Sequence, residues 1–164
     1  MRAGNACKIR SCLEEMTLSY TVSFISLGCA KNQVNCEQMM ATCQKAGYTI
    51  QAAPEGADVV VVNTCGFLSS ACEEAIDNIL EMAELKKAGQ VKKILVTGCM
   101  AQRYKEDVLS ELPEVDGVLG TGSYGDIADA VAEVMDQGLR PCHLGNIHTA
   151  DQSGERILST APWY

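Results

Sequence analysis

Three cysteines close three strand-like runs in the same way: Phe24-Ile25-Ser26-Leu27-Gly28-Cys29, Val59-Val60-Val61-Val62-Asn63-Thr64-Cys65-Gly66 and Ile94-Leu95-Val96-Thr97-Gly98-Cys99. They lie 36 and 34 residues apart, room each time for one helix and two connections. Thiolates are ligands for zinc and for iron–sulfur clusters. Open α/β sheets bind their ligands at the carboxyl ends of parallel strands. The repetition therefore predicts three thiols on one rim of one sheet, where they can share a ligand.

The elements that must position them are legible from the apolar pattern. Each run is continuous rather than alternating and rich in β-branched residues, the mark of a strand buried on both faces of a parallel sheet. Helices are predicted over about Gln33–Ala46, opened by Asn32 and closed by Gly47, and over Ser69–Ala88 before Gly89. Two more are predicted over Gln102–Leu112, ended by Pro113, and Tyr124–Gln137, capped by Gly138. Inward stripes are Cys36, Met39, Met40 and Cys43 on the first, Cys72, Ile76, Ile79 and Ala83 on the second, and Ile127, Val131 and Val134 on the fourth. Weaker strands are expected at Tyr48–Gln51 and Gly117–Leu119. The fold class is α/β, a single open, mostly parallel five-stranded sheet with helices on both faces, Rossmann or flavodoxin-like, with strand order 2-1-3-4-5.

In that order the three cysteine-bearing strands are neighbours. At a strand spacing of about 4.8 Å the outer two stand roughly 10 Å apart, too far for a disulfide. Three thiolates across such a gap can enclose something larger than one atom, and an iron–sulfur cluster fits, with one iron left without a protein ligand. Gly28, Gly66 and Gly98 would let the backbone come close to a bulky guest. A zinc ion with water as fourth ligand is an alternative, and so is simple burial of small apolar thiols. Cys36, Cys43 and Cys72 are read as core.

Other motifs carry less. Gly120-Thr121-Gly122-Ser123-Tyr124-Gly125 has the spacing of a dinucleotide loop, but no strand follows it to present an acid to a ribose, so it reads as a turn before the fourth helix. Cys142, His143 and His148 lack partners at zinc spacing and read as solvated linker residues, and Cys7 and Cys12 precede the first strand without companions. No residue is identified as a general acid, a general base or a nucleophile. Asn63, Thr64 and Lys31 are near the proposed ligands by sequence.

Nine cysteines without a secretion signal point to a reducing compartment, hence a cytoplasmic chain, and no apolar run approaches membrane-spanning length. A net charge of −8 argues against a grip on nucleic acid by this domain and is compatible with a basic protein partner. Residues 1–20 read as a leader, disordered or artificial, with Met16 an alternative start. Residues 21–138 read as one domain that is a monomer, and 139–164 as a linker.

The blocks Ser26-Leu27-Gly28-Cys29-Ala30-Lys31-Asn32-Gln33-Val34-Asn35, Asn63-Thr64-Cys65-Gly66-Phe67 and Thr97-Gly98-Cys99-Met100-Ala101-Gln102 together resemble the amino-terminal domain of the methylthiotransferases, which are radical S-adenosylmethionine enzymes. The resemblance covers about Val22–Tyr164, and Phe67–Ala83 is most similar to the RimO branch. It implies that Cys29, Cys65 and Cys99 hold an auxiliary [4Fe-4S] cluster with one open iron. It also implies methylthio insertion at an aspartate C–H bond of a small-subunit ribosomal protein. The sister MiaB branch, which modifies a tRNA adenosine, is the alternative within the family, and a non-enzymatic cysteine-rich metal-binding module the alternative outside it. The family's CxxxCxxC motif is missing. A second [4Fe-4S] cluster and S-adenosylmethionine are therefore expected only in an absent domain, and this chain is expected to bind a cluster without turning over.

Overall fold

The computed structural model describes residues 19–146 and 154–159. Six parallel strands form one sheet: β1 Thr21–Ser26, β2 Thr49–Gln51, β3 Val59–Thr64, β4 Lys93–Gly98, β5 Gly117–Leu119 and β6 Cys142–His143. Their order is β2-β1-β3-β4-β5-β6. All six residues of β3 are buried, as its uninterrupted run of valines requires at the centre of a sheet covered on both faces. Alternate side chains divide between two cores. Val60, Val62, Ile94 and Val96 pack with Ile79, Met82, Ala83 and Val108 on one face. On the other, Val59, Val61 and Leu95 pack with Cys36, Met39, Cys43, Ile127, Val131 and Val134.

Among the described residues five α-helices supply those faces: α1 Ala30–Lys45, α2 Ser69–Lys87, α3 Cys99–Arg103, α4 Lys105–Glu111 and α5 Ile127–Asp136, the last preceded by a 3-10 turn at Tyr124–Asp126. The stripes expected on α1 and α5 face inward, with Met40 only partly buried. On α2 the inward set is Ala75, Ile79, Met82 and Ala83, while Ile76 is turned out. The helix expected over Gln102–Leu112 is two, because the Tyr104 backbone departs from helical values at φ −119°, ψ 31°.

The described residues form one more strand than the five expected. Cys142 and His143 join β5 in parallel, where Val118 N–H donates to Pro141 O at 2.9 Å and Gly120 N–H to His143 O at 2.7 Å. Backbone groups of an otherwise open edge are thereby satisfied. Residues 154–159 lie along α1, held by buried Glu37: its carboxylate accepts from Ser159 N–H at 3.0 Å and Ser159 Oγ–H at 2.9 Å, and its carbonyl accepts from Ile157 N–H at 3.1 Å. No helix among the described residues is long and apolar enough to cross a membrane.

Candidate metal centre

Cys29, Cys65 and Cys99 stand at the carboxyl ends of β1, β3 and β4, the three adjacent central strands. Cys29 is the residue before α1, in extended backbone at φ −91°, ψ 171°, and is exposed; Cys99 opens α3, and it and Cys65 are half-buried. Glycines draw the three turns together. A Cβ at Gly28, where φ is +101°, would lie 2.6 Å from Cys65 Cβ and 3.4 Å from its Sγ. At Gly66 it would lie 2.9 Å from the Met100 backbone and 3.1 Å from Cys99 C. The Cys29 turn thus rests on Cys65, and the Cys65 turn rests on Cys99.

A set of buried polar side chains holds this arrangement. Asn32 Nδ2–H donates to Leu27 O at 2.8 Å and to Thr64 O at 3.2 Å, tying the first turn of α1 to the ends of β1 and β3. Asn63 Nδ2–H donates back to Asn32 O at 2.8 Å, and Thr64 Oγ–H donates to Thr97 O at 2.6 Å, joining β3 to β4. Asn32 is therefore an inward strut, not the helix cap expected from its type. Gly98, also at φ +101°, closes the packing: a Cβ there would meet Thr64 O at 2.2 Å and Asn63 Oδ1 at 2.6 Å. Asn63, Thr64 and Thr97 end runs of buried β-branched residues, and that break from apolar to polar is the signal by which sequence can locate them.

The electrostatics follow from the proximity. Burial pushes the Cys99 thiol above its ordinary range, the neighbouring Cys65 and Cys29 push it further, and Lys31 opposes them. Cys99 is thus near enough to Cys65 and Cys29 to feel their charge. Lys31, near the proposed ligands by sequence, belongs to the same neighbourhood. Among the described residues, no three His, Cys, Asp or Glu side chains converge closely enough to hold a single metal ion.

The remaining thiols are elsewhere. Cys36 and Cys43 are fully buried in the α1 core, and burial pushes each to about 12, Ser26 and Asn63 partly offsetting it at Cys36. The Cys72 thiol donates to Cys65 O at 3.8 Å. Cys142 is exposed on β6. His143, expected in solvent, is paired with Glu133, Nε2 to Oε2 at 2.9 Å. Cys7, Cys12 and His148 lie outside the described residues. The Gly120–Gly125 loop is filled by the protein itself. A Cβ at Gly120 would lie 1.9 Å from Gln102 Oε1, one at Gly122 would lie 2.2 Å from Gly145 O, and Ser123 Oγ accepts from Gly145 N–H at 2.6 Å. It is a braced turn.

Residues 21–120 match the model of the Uncharacterized protein family UPF0004, a span that contains all three cysteines. The chain belongs to the UPF0004 family. This member of UPF0004 is 48% identical over 142 residues to "Ribosomal protein uS12 methylthiotransferase RimO" of Syntrophomonas wolfei, an alignment covering 86% of the chain and 32% of that protein. It is 52% identical over 147 residues to the protein of the same name from Lachnoclostridium phytofermentans, covering 87% and 32%. With the one from Caldicellulosiruptor saccharolyticus it shares 57% over 99 residues, 60% and 22%. The UPF0004 chain thus spans about a third of the length of the first two relatives. The resemblance to RimO-like methylthiotransferases read from the three blocks holds across most of the chain.

Proposed function

We propose that this chain is the auxiliary-cluster domain of a ribosomal-protein methylthiotransferase, and that Cys29, Cys65 and Cys99 bind one [4Fe-4S] cluster. The observation that carries the reading is the glycine-mediated stacking of the three cysteine turns, Gly28 on Cys65 and Gly66 on Cys99. It draws together the carboxyl ends of three adjacent strands, each followed by one of the thiols. A cluster takes each thiolate on a different iron, which suits thiols contributed by three separate strand ends.

When bound, a cluster with three protein thiolates supplies one iron open to an external sulfur. The chain's own part is to hold and orient. Asn32, Asn63 and Thr64 fix the ends of β1, β3 and β4 relative to α1, and Lys31 offers positive charge beside an anionic group. On this reading the substrate is an aspartate side chain of a small-subunit ribosomal protein. On this reading a second cluster and S-adenosylmethionine are held by a radical S-adenosylmethionine domain of the kind the family resemblance implies. Its net charge of −8 favours a basic protein substrate over tRNA.

Anaerobic reconstitution with iron and sulfide tests the reading. About four of each per chain are expected, lost in Cys29→Ala, Cys65→Ala and Cys99→Ala and kept in Cys36→Ala and Cys72→Ala. No iron uptake, or uptake that survives the rim substitutions, overturns it.

A further inference from the structure

Beside the cysteine rim, α2 and the α3–α4 pair enclose a groove of about 600 Å³. Its apolar wall is made by Cys72, Ile76, Met100, Val108 and Leu112, with the ring of Tyr104 at the edge. Ile76 and Tyr104 are 39% and 37% exposed, and the Arg103 guanidinium lies over the Tyr104 ring, 5.3 Å from its centroid. Glu73, Asp107 and Glu111 also line the groove, and no Lys or Arg does. Apolar anchors lined by three carboxylates, with Arg103 only at the Tyr104 edge, fit a partner segment that carries apolar side chains and positive charge.

Ser69, the first residue of α2, also lines the groove, and the two residues before it, Phe67 and Leu68, are 83% and 66% exposed. Phe67 in turn lines a second cavity of about 240 Å³ with Gly66, Cys99, Gln102, Arg103 and Thr121. Met100 lines the groove and its chain neighbour Cys99 lines the cavity, so the two hollows are adjacent.

We propose that the groove docks a basic, apolar-anchored stretch of the protein substrate, and that this stretch runs over Leu68 and Phe67 so that one side chain enters the cavity beside Cys99. The inference rests on the methylthiotransferase reading and adds where its substrate lies. Ribosomal proteins bind an RNA polyanion and are rich in Lys and Arg for that reason, the charge the groove calls for. Ile76, Tyr104, Glu73 and Glu111 are then docking residues, and Phe67 is the specificity-determining residue at the mouth of the cavity.

The test is binding of purified ribosomal protein uS12 to this chain, followed by fluorescence anisotropy at low and physiological salt, with the chain both iron-loaded and iron-free. Binding that weakens with salt is expected, at least 10-fold weaker for Ile76→Arg and for the double variant Glu73→Lys/Glu111→Lys. A control of equal charge change on remote surface, Glu55→Lys/Asp129→Lys, should retain most of the affinity. Circular dichroism melting confirms that each variant is folded. Failure of the wild-type chain to bind uS12, or equal loss in groove and control variants, overturns the docking site. So does a wild-type dimer in sedimentation that the groove variants dissociate, because the groove would then belong to a second copy of the chain. Iron content measured on the same samples keeps the two readings apart: absence of iron with groove-dependent binding overturns the cluster and leaves the docking surface standing.

Discussion

A Cβ placed on Gly28 would stand 2.6 Å from the Cβ of Cys65, closer than two side chains can approach. Gly28 also has φ +101°, so alanine there meets both backbone strain and a clash. Gly28→Ala is expected to cost at least about 2 kcal/mol in urea denaturation. Gly98→Ala, whose Cβ would lie 2.2 Å from Thr64 O, should cost more. Alanine at Gly125, where a Cβ meets nothing within 4 Å, is the comparison and should change stability little. Equal stability of all three variants would show that the cysteine turns are not locked together.

Asn32 is buried and donates to two strand-end carbonyls at once. Asn32→Ala removes both bonds, and the expected loss is about 1–3 kcal/mol. Because the strut spans the ends of β1 and β3, hydrogen exchange at Cys29–Gln33 should rise more than exchange in α5. Uniform change across the molecule would mean that Asn32 contributes only general stability.

The exposed and buried thiols should separate in alkylation. Iodoacetamide at pH 8 should modify Cys29 and Cys142 first, since both are exposed. Cys36 and Cys43, inaccessible and pushed up to about 12, are expected to react only on unfolding. Mass spectrometry of partially labelled chain reads the order. Loading with iron should then protect Cys29 while Cys142 stays reactive; labelling of Cys29 at an unchanged rate would count against its role as a ligand.

Glu37 makes the segment 154–159 sensitive to acid. Burial pushes its carboxyl up, but hydrogen bonds from Ser159 and Gln33 and the charge of Arg156 outweigh that and hold it below the ordinary carboxylate range. A carboxyl with a depressed folded pKa stabilises its contacts fully above the unfolded value of about 4.3 and loses that contribution as pH falls through the folded value. Protease cleavage within residues 154–159 should therefore be slow at pH 7 and rise below about pH 4.3. Glu37→Gln should cleave faster at pH 7 and lose most of that pH dependence. An unchanged profile in the variant would mean that another group holds the segment.

The sequence by itself determined the sheet and the place of its chemistry. Continuous β-branched runs in β1, β3 and β4 can be stable only when both faces are covered, and strand–helix alternation then makes the sheet parallel. The cysteines follow at the carboxyl ends because they follow the runs in the chain. Tertiary structure decided matters that depend on distant partners. Asn32 has the residue type of a helix cap, yet two carbonyls at the ends of β1 and β3 needed a donor, and satisfying them outweighed the local preference. Cys142 and His143 have no strand-like run around them and became β6 because β5 offered unpaired backbone groups. Ile76 has inward spacing on α2 and is nonetheless exposed, because α3 and α4 stand apart from it and leave a groove. Periodicity reports which residues share a face, whereas the distance at which another element covers that face is a property of the assembled fold.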